Sequence, residues 1–118
     1  MIPPNVAPPK TIVIRYPGAE EKLRKQYVYQ AYRSSAEMAK DRLVPGNRLI
    51  VKFNDDTVGE GQAILVETTD LERVTPYDAI VSGYEDLERL KADLRKSILS
   101  GTKKPNEAEF WKILFRWL

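Results

Sequence analysis

Apolar and polar residues alternate, with a period of two, along several short stretches of the chain. From Thr11 to Tyr16, Ile12, Ile14 and Tyr16 alternate with Thr11, Val13 and Arg15, and Pro17-Gly18 stops the run, which predicts a first strand. Gln26 to Arg33 carries Tyr27, Val28, Tyr29 and Tyr32 and predicts a second. From Leu43 to Phe53, Pro45-Gly46 supplies a type II turn, after which Leu49, Val51 and Phe53 alternate with Arg48, Ile50 and Lys52. Asn54 to Thr57 then reads as a polar turn, Val58 to Gly61 as a bulge, and Gln62 to Thr68 as the partner strand of a hairpin. Phe110 to Leu118 is almost continuously apolar, with Trp111, Ile113, Phe115 and Trp117 on one side, and predicts a buried closing strand.

Between these stretches the period changes and helix signals appear. Ala19 to Lys25 has Glu20 and Glu21 in its first turn and Arg24 and Lys25 in its last, the charge order a helix dipole favours. Ser34 with Glu37 forms a capping box for Ser35 to Lys40, and Thr75-Pro76-Tyr77-Asp78 forms a second for a helix ended by Gly83. Asp86 caps a longer helix in which Leu87, Leu90, Leu94 and Ile98 recur at steps of three and four, with Gly101 after its end. Glu88, Arg89 and Lys96 on its opposite face read as solvated surface. Strands and helices are interspersed without regular alternation, which predicts the α+β class. A small β-barrel of five to six strands, with short helices at its rim and one longer helix, would remove the edges that short strands otherwise expose. Residues 1–10, with Pro3, Pro4, Pro8 and Pro9, are expected to form an extended tail, leaving 11–118 as one domain.

Composition narrows the chemistry. The 118 residues include neither cysteine nor histidine, which removes disulfides, thiolate nucleophiles, imidazole acid-base catalysis and the usual zinc sites. Asp55 and Asp56 are the only adjacent carboxylates in an expected turn, and they read as solvated, so neither a metal nor a cofactor is expected. Without an apolar run of membrane-spanning length or a leader, the expected location is the cytoplasm. The absence of cysteine and the high charge content suit a heat-adapted source. A net charge of +2 hides an asymmetry: residues 1–52 hold 10 Lys and Arg against 4 Asp and Glu, and residues 53–118 hold 9 against 13. A positive face drawn from the first half would attract polyanions, unless the two halves intermix in space.

Leu-Val-Pro-Gly-Asn-Arg-Leu-Ile-Val-Lys-Phe at 43–53, and the segment from Tyr77 to Leu94 with Asp78-Ala79 and Gly83-Tyr84 before Leu87, together resemble the ASCH family of the PUA-like superfamily over roughly Thr11 to Leu118. The resemblance implies a barrel with a cleft beside the early helix, proposed in that family to receive RNA. Some relatives are small enzymes that look to a Gly-x-Lys-x-x-Glu-x-Arg pattern. Here the matching segment keeps Arg33 but has Ala31, Val28 and Gln26 at the other three places; Lys25 and Gln30 lie nearby, and an amide cannot act as a base.

Two-residue alternation puts Tyr27, Tyr29 and Arg33 on one strand face and Val28, Gln30 and Tyr32 on the other. The tyrosines are either core residues with hydroxyls at a rim or stacking surfaces in a cleft, with Arg33 meeting phosphate or a base edge. Arg15, Lys25, Arg48 and Lys52, singly ordinary solvated charges, sit on elements that the resemblance brings around the same cleft. The expectation is an RNA-binding module, non-catalytic, with Arg15, Lys25, Tyr27, Tyr29, Arg33, Arg48 and Lys52 as its nucleic-acid contacts and no assigned oligomeric state. The alternative is a small amidohydrolase or ribonuclease acting in that cleft.

Overall fold

Inward-facing Ile12 and Ile14 on the first strand and Leu49 and Val51 on the third build one wall of the core, and register explains why. The computed structural model of the chain describes residues 8–16 and 19–118. Its elements, in order, are β1 (Lys10–Ile14), α1 (Glu20–Leu23), β2 (Val28–Ser34), α2 (Ser35–Lys40), β3 (Arg48–Phe53), β4 (Asp56–Thr69), α3 (Pro76–Val81), α4 (Leu87–Lys96), a short 3-10 turn (Pro105–Glu107) and β5 (Phe110–Trp117). Residues 1–7 of the expected tail and the Pro17-Gly18 stop lie outside the described residues. β1 runs parallel to β3 with Ile12 opposite Val51, and the other neighbours are antiparallel, giving the order β1-β3-β4-β5-β2. The result is an α+β fold whose five strands curl into a half-barrel, the small barrel-like architecture that the alternation predicts.

β4 is far longer than the segment 62–68 expected for it, because it serves two partners: β3 along one part and β5 along another. Two bulges bend it. One places Val58 as an extra residue, between the partners of Val51 and Lys52, inside the segment read as a bulge from its glycines. The other places Ile64 as an extra residue between Ala63 and Leu65 and carries no glycine signal. Gly61 is required between them, since a Cβ there would stand 2.8 Å from the Phe115 ring and 2.9 Å from the Arg116 carbonyl oxygen.

The helices cover the curled sheet. α4 buries Leu90 and Leu94, with Leu87 and Ile98 packed at the margin, as its three-and-four spacing dictates. α3 begins with the capping box read from sequence: Thr75 Oγ1 accepts from the Asp78 amide, and the Asp78 carboxylate accepts from the Thr75 amide at 2.8 Å. Ser34 likewise caps α2 by accepting from the Glu37 amide. Gly83, at φ +83°, ends α3 in the left-handed region, where a Cβ would meet Lys22 Cβ at 2.6 Å. Among the described residues no helix is long and apolar enough to cross a membrane.

Asp78 does more than cap. It is buried; one oxygen accepts from Gln30 Nε2 at 3.0 Å and faces the Lys112 ammonium at 3.6 Å, while the other takes the Thr75 amide and hydroxyl. Burial alone would raise its pKa, but the bonds from Gln30 and Thr75 and the charge of Lys112 outweigh it and hold the carboxyl below the usual range. A depressed carboxyl stabilises the fold above the unfolded-state value of about 3.9, and that contribution is lost as pH falls through the lower folded-state value. Asp78→Ala should therefore cost about 2 kcal/mol in urea unfolding at neutral pH, because it leaves buried donors unpaired. It should also flatten the loss of stability on acidification below about pH 4.

Candidate functional site

The aromatic strand β2 is buried on both faces, and this separates the residues that alternation grouped together. Its Tyr29 and Ala31 face the core, with the Tyr29 ring 6.0 Å from that of Phe115. Its Gln30 and Tyr32 face α3: Tyr32 Oη bonds Ser82 Oγ at 2.8 Å, and Gln30 donates to both Tyr32 and Asp78. Tyr29 is thus a core residue and not a stacking surface. Tyr27 precedes the strand and is 75% exposed, so it shares no face with Tyr29. Arg33 is also inside, donating to the Asp41 carbonyl at 2.7 Å and touching Met38 Sδ, and cannot reach a phosphate on the surface. Gln30 works as a buried donor; a carboxylate there would confront Asp78.

The remaining cations are dispersed. Arg48 is exposed and paired with Glu60 at 2.8 Å across the β3–β4 hairpin. Lys25 is exposed just beyond α1. Lys52, half-buried, lies opposite Val13 in the parallel β1–β3 register and so shares its sheet face. Of the seven predicted contacts, only Arg15 lines the polar cleft beside the end of α4.

That cleft, about 420 Å³, lies where the half-barrel is open. The strand order ends in β1 on one side and β2 on the other. Val13 in β1 and Arg15 just after it, Ser34 at the end of β2, Glu37 of α2, and Lys96, Ser97 and Ser100 at the end of α4 converge around the gap. Arg15 and Lys96 make no ion pair among the described residues. Ser34 Oγ donates to the Glu37 carboxylate at 3.3 Å while accepting from the Glu37 amide, and Ser97 Oγ donates to the Asp93 carbonyl at 2.7 Å, which orients both hydroxyls and leaves each with capacity to accept a further bond. Arg15 and Lys96, which outnumber the one lining carboxylate, Glu37, make with three hydroxyls a site for an anion with hydrogen-bonding oxygens. Lys96 and the serines escape a reading by local pattern: the stripe of α4 marks Lys96 as solvated, and nothing local brings it beside Arg15.

The gap is spanned at one end by α2. Lys10 Nζ, at the start of β1, bonds the Asp41 carboxylate at 2.6 Å, while the Asp41 carbonyl receives Arg33 from β2. The Lys10 ammonium, bonded to Asp41, holds that carboxyl below its usual range. On the neighbouring face of α2 a second hollow, about 190 Å³, is lined by Ser35, Met38, Ala39, Arg42 and Trp111, with the Arg42 guanidinium 5.5 Å from the Trp111 ring centre. Among the described residues no three acidic side chains gather as metal ligands would.

Deeper in, Tyr16 and Tyr29 are close electrostatic neighbours, and burial foremost drives both hydroxyl pKa values upward. Neither hydroxyl finds a hydrogen-bond partner of good geometry. Burial likewise pushes Tyr32 up to about 12, against the bonds from Ser82 and Gln30. No family model, no curated protein and no solved structure matches the chain.

The tyrosines therefore predict opposite outcomes under one substitution. Tyr29→Phe, which removes a buried hydroxyl whose neighbour, the Tyr16 hydroxyl, is poorly aligned with it, should leave stability unchanged or raise it by up to about 1 kcal/mol, whereas Tyr32→Phe should lower it by about 1 kcal/mol. Tyr27→Ala should stay within about 0.5 kcal/mol of the parent. Urea unfolding midpoints of the three variants check the set.

Proposed function

We propose that the chain is a non-catalytic RNA-binding module of the ASCH/PUA-like kind and that the strand's backbone is held in the cleft between β1, β2 and the end of α4. The observation that carries this reading is the convergence of Arg15 and Lys96, 81 positions apart, on one polar cleft where neither makes an ion pair among the described residues. Arg, Lys and Ser are the side chains that position phosphates, and they do so without reading sequence. The interface is smaller than the seven-residue cleft expected from sequence. It keeps Arg15, adds Lys96, Ser97 and Ser100, and leaves Lys52 and the exposed Lys25 and Tyr27 as outlying contacts. Arg33 supports the site from below.

Binding to single-stranded RNA should weaken as salt rises, with a log–log slope proportional to the phosphates neutralised, about 0.7 for each. Arg15→Ala and Lys96→Ala should each weaken binding and reduce that slope by about 0.7, while Arg48→Ala, whose charge Glu60 already meets, should leave both unchanged. Fluorescence anisotropy with labelled RNA between low and moderate salt measures this. Absence of binding at low salt, or an affinity indifferent to both Arg15→Ala and Lys96→Ala, would sink the proposal. Turnover of RNA or a modified nucleoside in the same samples would redirect it to the hydrolase.

A further inference from the structure

We infer that the hollow between Trp111 and Arg42 is a base-binding subsite, in which one base of a single-stranded RNA stacks on the indole face that Arg42 covers in the free protein, while Arg42 turns to the adjacent phosphate. The inference rests on the RNA reading of the neighbouring cleft and adds to it a second contact of different chemistry.

Placement comes first. Ser34 and Glu37 line the cleft, and Ser35, Met38 and Ala39 line the hollow, so each set is one residue, or about 100°, around the same short helix. With a helix diameter of about 10 to 12 Å, the two sites are separated by the reach of about two or three nucleotides. A strand whose phosphate lies beside Arg15 and Lys96 can therefore pass over α2 and present a base to Trp111.

The chemistry of the hollow suits a base attached to a phosphate. Trp111 offers a π face in a half-buried setting, and Arg42 is exposed at its own position, held there by the ring. Arg side chains stack on rings and pair with phosphate by turns, which a compact ammonium does less well. Beneath the hollow lies Arg33, directly opposite Trp111 in the β2–β5 register. It is more than nine-tenths buried, in contact with the lining Met38, and its Nε has no acceptor. The one carboxylate close by, Asp41, is engaged by Lys10. A buried positive charge thus stands behind the lining Met38, which favours an electron-rich ring with an anionic tether over a neutral apolar ligand.

The test uses the full chain with Trp117→Phe, which leaves Trp111 as the only tryptophan. Its emission is followed on titration with an oligouridylate and, separately, with inorganic polyphosphate. The oligouridylate should change Trp111 emission, and polyphosphate should compete for the cleft without doing so. Arg42→Gln, a surface change, should weaken RNA binding more than polyphosphate binding. Trp111→Leu should weaken RNA binding about 5- to 100-fold, the range for loss of one stacked base. RNA that binds at low salt with Trp111 emission unmoved and affinity unchanged by Arg42→Gln overturns the subsite and leaves the cleft standing. RNA that does not bind at all overturns both.

Discussion

The structure depends on one constraint: the sheet does not close. Five strands in the order β1-β3-β4-β5-β2 leave β1 and β2 at opposite ends, and no ladder joins them among the described residues. Two open edges so near one another would be both unstable and prone to wrong pairing. The gap is bridged by side chains instead, with Asp41 at the centre, its carboxylate holding Lys10 and its carbonyl holding Arg33. A closed ladder would have filled the space between the edges with backbone. A side-chain bridge spans it at one end only and leaves the polar cleft that Arg15 and Lys96 enter from opposite sides.

The same constraint explains why the aromatic strand went inward. An end strand of an open sheet must have its exposed face covered, and α3 does this for β2. Covering polar Gln30 and Tyr32 required partners in the helix, which Asp78 and Ser82 supply. The capping box is therefore also part of the core: the carboxylate that satisfies the first turn of α3 anchors the amide on the strand beneath it. Lys112, placed between Asp78 and Glu67, extends that polar seam to the surface.

Local pattern made much of the fold legible. The caps at Ser34, Thr75 and Asp86, the stripe of α4 and the strand alternation at Ile12, Leu49 and Ile113 all depend on residues within a few positions of one another, and they stand where the sequence puts them. The site was far less legible. Whether Tyr29 faces solvent depends on β5, whose Phe115 lies 86 positions later, and Arg33 is drawn inside by a carbonyl beyond the end of α2. Lys96 and Arg15 meet only because the edges stay apart. Such facts are properties of the tertiary gap, and no short window contains them.

The paired bulges of β4 carry a consequence for how this chain counts its residues. Each inserts one position and so reverses which side chains point inward: Gly59, Gly61 and Ala63 follow one phase, and Val66 and Thr68 the other. Deleting the extra residue Ile64 would leave Val66 and Thr68 inward, now in unbroken alternation with Ala63, whereas deleting a paired residue such as Leu65 would put the strand out of phase with β5. Deleting Val58 and Ile64 together would keep every paired residue on its present side but straighten the strand, and the bend that carries β4 from β3 to β5 would be lost. The curl that keeps β1 and β2 apart thus runs through two extra residues of β4, neither of which lines the cleft.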